Sequence, residues 1–372
     1  MFISLGIIIR YFLTFLIALI LTPIFKIISV QTGMVDKPNA RRINKVPMPS
    51  GGGLPIFITF MISTLVLFKN FIPASYIVPI LLGGLIIVIT GLLDDRFELS
   101  PRQKSLGILL AALVIYFVAD IRFNFFTVPI LGHINLGWLS LPVTIFWIFG
   151  ITNAVNLIDG LDGLASGVSI IGLTTIGVIG YFFLHESTTF ISLAIFCLVA
   201  SIIGFFPYNF HPAKIYLGDT GALFLGFMIA VLSLEGLKNV TFITLVTPLM
   251  ILGVPVTDTF FAMVRRKAKN MPISAADKQH LHHRLLDLGF THRGAVLTIY
   301  AIAVLFSFTA LLINYMSGVG TVVLIVVMGF AIAFLLELIG LISPKYSFIT
   351  KTFHFFGNKD YRVKVINKYF KK

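Results

Sequence analysis

Several short polar stretches in an otherwise apolar chain carry residue types suited to phosphate chemistry. Stretch 153–162, NAVNLIDGLD, sets Asn153, Asn156, Asp159 and Asp162 three residues apart. At 3.6 residues per turn each such step drifts by roughly 60°, so the four cannot form one straight stripe on a long helix. A helix end opened by Gly160 and Gly163 fits better. A plain polar turn between two membrane helices accounts for one or two such residues, not for four. Upstream, GLLDDRFELSPRQK sets Asp94 beside Asp95, with Arg102 and Lys104 following. Adjacent carboxylates at the end of an apolar run are costly unless they bind a cation or act as a base. A hard divalent cation takes carboxylates and substrate phosphate oxygens together. The plainer alternative is an ordinary helix-end turn.

Three further stretches join these. FFPYNFHPAKIYLGDTGALFLGF crowds Asn209, His211, Lys214 and Tyr216 before Asp219. Asp219 alone would pass for a helix N-cap, and Tyr216 suits stacking on a base or ring. Farther on, His280, His282 and His283 form H-x-H-H beside Arg284. Helical spacing puts His280 and His283 on one face. The pattern is not H-E-x-x-H and its neighbours are basic, which favours phosphate over zinc. Asp258, about two turns before Arg265 and Arg266, is expected to pair with them internally. In the first loop Arg41, Arg42 and Lys45 precede Gly51, Gly52 and Gly53. Glycine N–H groups at a helix start make an anion site; a basic loop followed by a helix start is the equal alternative.

The elements that must position these groups are membrane helices. The chain has 372 residues, 58% hydrophobic and only 12% charged, with a mean hydropathy of +1.00. A soluble chain carries about 25% charged residues. The expected fold is therefore all-α, a single polytopic membrane domain over 1–372. Eleven spans are expected, at about 3–29, 51–68, 76–93, 105–119, 138–152, 164–184, 189–206, 220–234, 240–263, 294–313 and 319–341. The first lacks a small-residue cleavage site and is taken as a retained span. The single Cys197 excludes a disulfide framework and a cysteine zinc site. Loop 120–137 alternates apolar residues around Gly and Pro, as a short outer hairpin does.

Loops 30–50, 94–104, 153–163, 207–219 and 264–293, with the tail 342–372, hold 23 of the 28 Lys and Arg residues. That excess marks the cytoplasmic side, with the N-terminus outside and the C-terminus inside. It also explains the net charge of +13 without a nucleic-acid partner. Ten of the eleven Asp lie on the same side, all but Asp120. Acids and bases concentrated on one face indicate a site. The basic tail, with Phe353, Phe355, Phe356, Tyr361, Tyr369 and Phe370 interleaved, reads as a stop-transfer flank or an amphipathic segment on anionic lipid.

GLLDDRFELSPRQK, NAVNLIDGLDGLASG, FPYNFHPAKIYLGDTGALFLG, PVTDTFFAMVRRK and DKQHLHHRLLDLG resemble, in order and over nearly the whole chain, the polyprenyl-phosphate N-acetylhexosamine-1-phosphate transferases. The resemblance implies a multi-pass plasma-membrane enzyme that moves a sugar 1-phosphate from a UDP-sugar to a polyprenyl phosphate such as undecaprenyl phosphate. UMP is released and a cell-envelope glycan is begun, of the teichoic acid or O-antigen kind. By the same resemblance Asp94 and Asp95 sit at the reaction centre with His282 and His283. Asp219 and Asp94 hold Mg²⁺, with Mn²⁺ as the alternative ion. Asn209, Asp162 and Tyr216 lie near the nucleotide. Lys45, Lys104, Asn153, Asn156, Asp159, His280 and Arg284 contact substrate, and a homodimer is compatible with the pattern. KVPMPSGGG and the interrupted histidines are similar to the branch using UDP-N-acetylglucosamine. The muramoyl-pentapeptide branch carries K-x-G-T-P-x-M-G-G and three consecutive His.

The rival from another class is a transporter coupled through carboxylates. Transporters place these near the midplane on broken helices in repeated halves. Here the carboxylates lie at span ends on one side and no halves repeat.

Overall fold

The computed structural model describes residues 4–36, 47–128, 132–183, 189–235, 280–315 and 354–370, with single positions between 253 and 329. The chain falls into two units, Met1–Ile251 and Leu252–Lys372.

The first unit is a helical bundle: α1 (Leu5–Gln31), α2 (Gly53–Ile62, continued as a π-turn over Ser63–Leu67), α3 (Ala74–Phe97), α4 (Pro101–Phe117), α5 (Ser140–Ile158), α6 (Leu164–Phe183), α7 (Thr189–Asn209) and α8 (Gly218–Glu235). Two antiparallel ribbons interrupt it. β1 (Val35–Asp36) pairs with β2 (Met48–Pro49). β3 (Phe125–Val128) pairs with β4 (Gly132–Asn135), Phe125 opposite Asn135, which is the hairpin expected in loop 120–137. The second unit holds α9 (Leu281–Asp287), α10 (His292–Tyr315) and α11 (Lys359–Phe370).

Six described helices are long and apolar enough to cross a membrane, and Gly53–Leu67 and Gly218–Leu234 are shorter apolar ones. Nine of the eleven expected spans fall on helices. The other two, 240–263 and 319–341, lie largely outside the described residues, as do Lys45, Arg41, Arg42 and Asp258.

α8 is the axis of the first unit. Leu223, Phe224, Leu225, Phe227, Met228, Ile229, Val231 and Leu232 are all fully buried. A helix apolar all round belongs inside, and α3 and α5 flank it most closely. The approach is close because glycine faces backbone. A Cβ on Gly53 would overlap Gly221, and one on Gly91 would overlap Thr220. One on Gly226 would stand 2.8 Å from Thr152 Cα.

Of the two alternatives for the glycines at this helix start, Gly52 and Gly53 take the plain one. The Gly52 N–H donates to the Tyr216 carbonyl at 3.0 Å and the Gly53 N–H to that of Leu217 at 3.2 Å. These amides are spent on joining α2 to the chain before α8, so they form no anion nest.

Candidate active site

Site residues gather where helices end. α3, α5 and α7 finish, and α4, α6 and α8 begin, in the stretches that carry the polar motifs. Three of these helices run farther than expected. α3 continues through Asp94 and Asp95 to Phe97, α5 through Asn153 and Asn156 to Ile158, and α7 to Asn209. The carboxylates thus stand on helical last turns and are held more rigidly than loop residues would be.

α4 starts with a capping box. Ser100 Oγ accepts from the Gln103 N–H, and the Gln103 side chain accepts from the Ser100 N–H at 2.9 Å, with Pro101 at the first helical position. This fixes Lys104, one turn in. Its ammonium pairs with Asp94 and lies 2.9 Å from Asp219 Oδ1. Asn156 donates to the same Asp219 oxygen at 2.6 Å. Asp94 is only 6% exposed; its Oδ1 accepts from the Leu99 N–H at 2.8 Å, where Glu98 turns the chain with φ 50°.

Asp219 is therefore no N-cap. It lies inside the first turn of α8 and its side chain faces Lys104 and Asn156. Capping falls to Asp95, which reaches across from α3. It accepts from the Asp219 N–H at 2.9 Å, the Thr220 N–H at 3.1 Å, the Thr220 hydroxyl at 2.6 Å and Ser50 Oγ at 3.1 Å. A carboxylate there also suits the positive end of the helix. Both Asp95 oxygens are engaged in holding α8, and Ser50 and Thr220 are members of the site that sequence reasoning missed.

Asp159 follows α5 as its C-terminal cap residue. Among the described residues no hydrogen bond or ion pair engages its carboxylate. Burial, with repulsion from Asp219, Asp95 and Asp162, pushes its pKa well above the ordinary carboxylate range. Lys104 pairs with Asp94 and Asp219, while Asp95 and Asp159 add negative charge close enough to repel Asp219, which leaves the cluster short of positive charge. That donor set fits a hard divalent cation. Asp219 and Asp94 would hold it, and it would supply neutralising charge for phosphate oxygens.

The remaining expected residues divide. Asp162 accepts from the Ala213 N–H at 3.1 Å and pairs with His211 Nδ1 at 2.7 Å. His211 entered the sequence reading only as one of a crowd, and a carboxylate fifty residues away gave no signal of this partner. Asn209, expected near the nucleotide, is buried and structural: Ser166 donates to its Oδ1 at 2.7 Å, and its amide donates to the Ile215 carbonyl at 3.1 Å. Asn153 donates to Phe149 in its own helix at 2.8 Å. Tyr216 is half-buried, with its N–H bonded to the Pro49 carbonyl at 2.8 Å.

In the second unit His280 precedes α9 in extended conformation, so the shared helix face with His283 does not form. Its ring lies parallel to that of His282 with centroids 6.0 Å apart, and His282 meets His283 at 4.2 Å. Burial, then repulsion from His283, His280 and His292, pushes His282 down to about 3. It is neutral at physiological pH. Arg284 lies one turn on, half-buried.

Residues 77–237 match the model of glycosyl transferase family 4. The chain is 42% identical over 347 residues to a protein of Bacillus subtilis (strain 168) named probable undecaprenyl-phosphate N-acetylglucosaminyl 1-phosphate transferase; the match covers 93% of this chain and 95% of the relative. It is 31% identical over 304 residues, 74% of each chain, to the decaprenyl-phosphate N-acetylglucosaminephosphotransferase of Mycolicibacterium smegmatis. It is 30% identical over 292 residues to the undecaprenyl-phosphate alpha-N-acetylglucosaminyl 1-phosphate transferase of Salmonella typhi, covering 75% of this chain and 76% of that one. With its carboxylate-bearing helix ends inside the matched region and relatives along most of its length, the chain belongs to glycosyl transferase family 4.

Proposed function

We propose that this enzyme transfers N-acetylglucosamine 1-phosphate from UDP-N-acetylglucosamine to undecaprenyl phosphate and releases UMP. The names of the relatives support the acceptor and the sugar. The observation that carries the chemistry is Lys104 held between Asp94 and Asp219, with Asn156 on the same Asp219 oxygen. Both reactants are anionic, so the barrier to the lipid phosphate attacking the phosphate on the sugar is largely charge repulsion. A cation on Asp219 and Asp94 would neutralise the phosphate oxygens. Lys104 adds a second positive charge, movable on its flexible stem. Asn156 keeps Asp219 aimed. The lipid phosphate's second pKa is near 6, so little proton removal is needed at pH 7. Asp95, with both oxygens held by the start of α8 and one also by Ser50, acts through position.

In this proposal the helix ends bearing the site face the cytoplasm, where the nucleotide is, with the N-terminus outside and the C-terminus inside. A reporter fused after Lys372 should then be active only as a cytoplasmic one. The test of function is UMP release by the purified protein with undecaprenyl phosphate, comparing UDP-N-acetylglucosamine with UDP-N-acetylmuramoyl-pentapeptide. Faster turnover of the larger donor would move the chain to the other branch. No release with either donor would overturn the transferase proposal.

A further inference from the structure

The tail helix α11 begins at the mouth of a membrane-crossing helix. Within the second unit, α10 is one of the candidate spans, starting at His292. The turn just before it carries Gly289 and Phe290. Asn358 packs on this turn: a Cβ on Gly289 would lie 2.8 Å from Asn358 Nδ2. Gly357 sits so close to the Phe290 ring that a Cβ there would overlap it. Asn358 also starts α11, its Oδ1 accepting from the Asp360 N–H at 3.0 Å and the Tyr361 N–H at 3.1 Å. One residue thus ties the base of α11 to the end of a span, which is the depth of lipid headgroups.

α11 has an inner side and an outer side. The Tyr361 ring lies 4.9 Å from that of His354, and Arg362 donates to the Phe356 carbonyl at 3.4 Å. Val363 and Ile366, three residues apart and so neighbours on the helix surface, are 48% and 41% exposed, and Phe356 before them is 69% exposed. Lys359 and Lys364 are exposed alongside. Over Lys359–Phe370 four cations, Lys359, Arg362, Lys364 and Lys368, face one acid, Asp360. Apolar side chains bordered by cations at headgroup depth match a bilayer interface of negative charge.

We propose that α11 lies on the membrane surface, with Phe356, Val363 and Ile366 in the acyl boundary and Lys359 at anionic phospholipid headgroups, while Lys364, turned away from Ile366 on the helix, stays in water. Through Asn358 and Gly357 this anchor holds the Gly289–Phe290 turn, and with it α9, which carries His282, His283 and Arg284.

The experiment uses the full chain in lipid nanodiscs, spin-labelled through Ile366→Cys, with Val363→Cys as the second reporter and Lys364→Cys as the control on the cationic side. Discs of phosphatidylcholine alone are compared with discs containing phosphatidylglycerol. Collision with oxygen is measured against collision with a water-soluble nickel chelate. At Ile366 and Val363 the oxygen-to-nickel ratio should rise several-fold when phosphatidylglycerol is present, and high salt should reverse the rise; at Lys364 it should stay low. Removing charge with Lys359→Gln should weaken the anionic-lipid effect roughly fivefold, the worth of one basic residue near such a surface. Equal nickel access at both reporters in both lipids would overturn the proposal. Equal shielding in both lipids and in detergent would overturn it too, since protein would then be the cover.

Discussion

Thr220 gives both its N–H and its hydroxyl to one carboxylate oxygen of Asp95, at 3.1 and 2.6 Å. The two residues are 125 positions apart, and their contact holds the start of α8 to the end of α3. Replacing Asp95 by Asn substitutes a donor for one acceptor among converging donors. Asp95→Asn should lower thermal stability by about 1–3 kcal/mol and reduce turnover with it. Parallel melting and UMP-release measurements check this; full stability with lost turnover would assign Asp95 to the chemistry instead.

Asp219→Asn should behave differently. Its side chain meets Lys104 and Asn156 and does not cap its own helix. Turnover should fall by at least a hundredfold, the scale of removing one group that stabilises developing charge, with the melting temperature little changed. Chelation with EDTA should silence the wild type and Mg²⁺ restore it. Full activity in EDTA would take the metal out of the mechanism.

The glycine contacts allow a paired test. Gly91→Ala sets a methyl against the Thr220 backbone and should cost about 1–3 kcal/mol through overpacking. Gly150→Ala, in the interior of α5 with nothing within 4 Å of the new methyl, should be neutral or stabilising by up to about 1 kcal/mol. Equal melting temperatures for the two variants would remove the close helix approach as a source of stability.

A pH dependence follows from His282. Its folded pKa, about 3, lies below the unfolded value of 6.5, so the unfolded chain binds the extra proton between those values. Stability from the neutral ring is whole above about pH 6.5 and is lost as pH falls towards 3, at up to about 1.4 kcal/mol per pH unit. Wild type should therefore lose melting temperature from pH 7 to 5 more steeply than His282→Gln. Parallel slopes would place the acid sensitivity elsewhere.

The helices and the clustering were legible because hydropathy and charge patterning are local signals. Asp94, Asp95, Lys104, Asn156 and Asp219 do come together. What was not legible involves choices that composition leaves open. At Gly52 and Gly53 an anion site and a plain helix start stayed equal, because a glycine that frees an N–H and one that admits another helix look alike in sequence; only the partner, Gly221 or Tyr216, separates them. The bonds of Asn209 to Ser166 and Ile215 had no signal either, because a buried amide and an amide at a ligand have the same letter. That Asp95 caps α8, leaving Asp219 turned to Lys104 and Asn156, depends on the packing of α3 against α8, which no local pattern records. The Ser100-to-Gln103 capping box, by contrast, stood in plain sight as S-P-R-Q and alone would have placed Lys104 in the first turn of α4.

The seam around α8 has a mechanical consequence. Gly53 and Gly91 from its neighbours, and its own Gly226 against Thr152, make it a keyed shaft, with backbone seated in backbone on three sides. A slip of one residue, about 1.5 Å along the axis, would carry a side chain into a slot cut only for hydrogen. The shaft has no play, so Asp219 is held like a tool in a fixed chuck, and any stroke during turnover belongs to parts of the machine other than the joint between α8 and its neighbours.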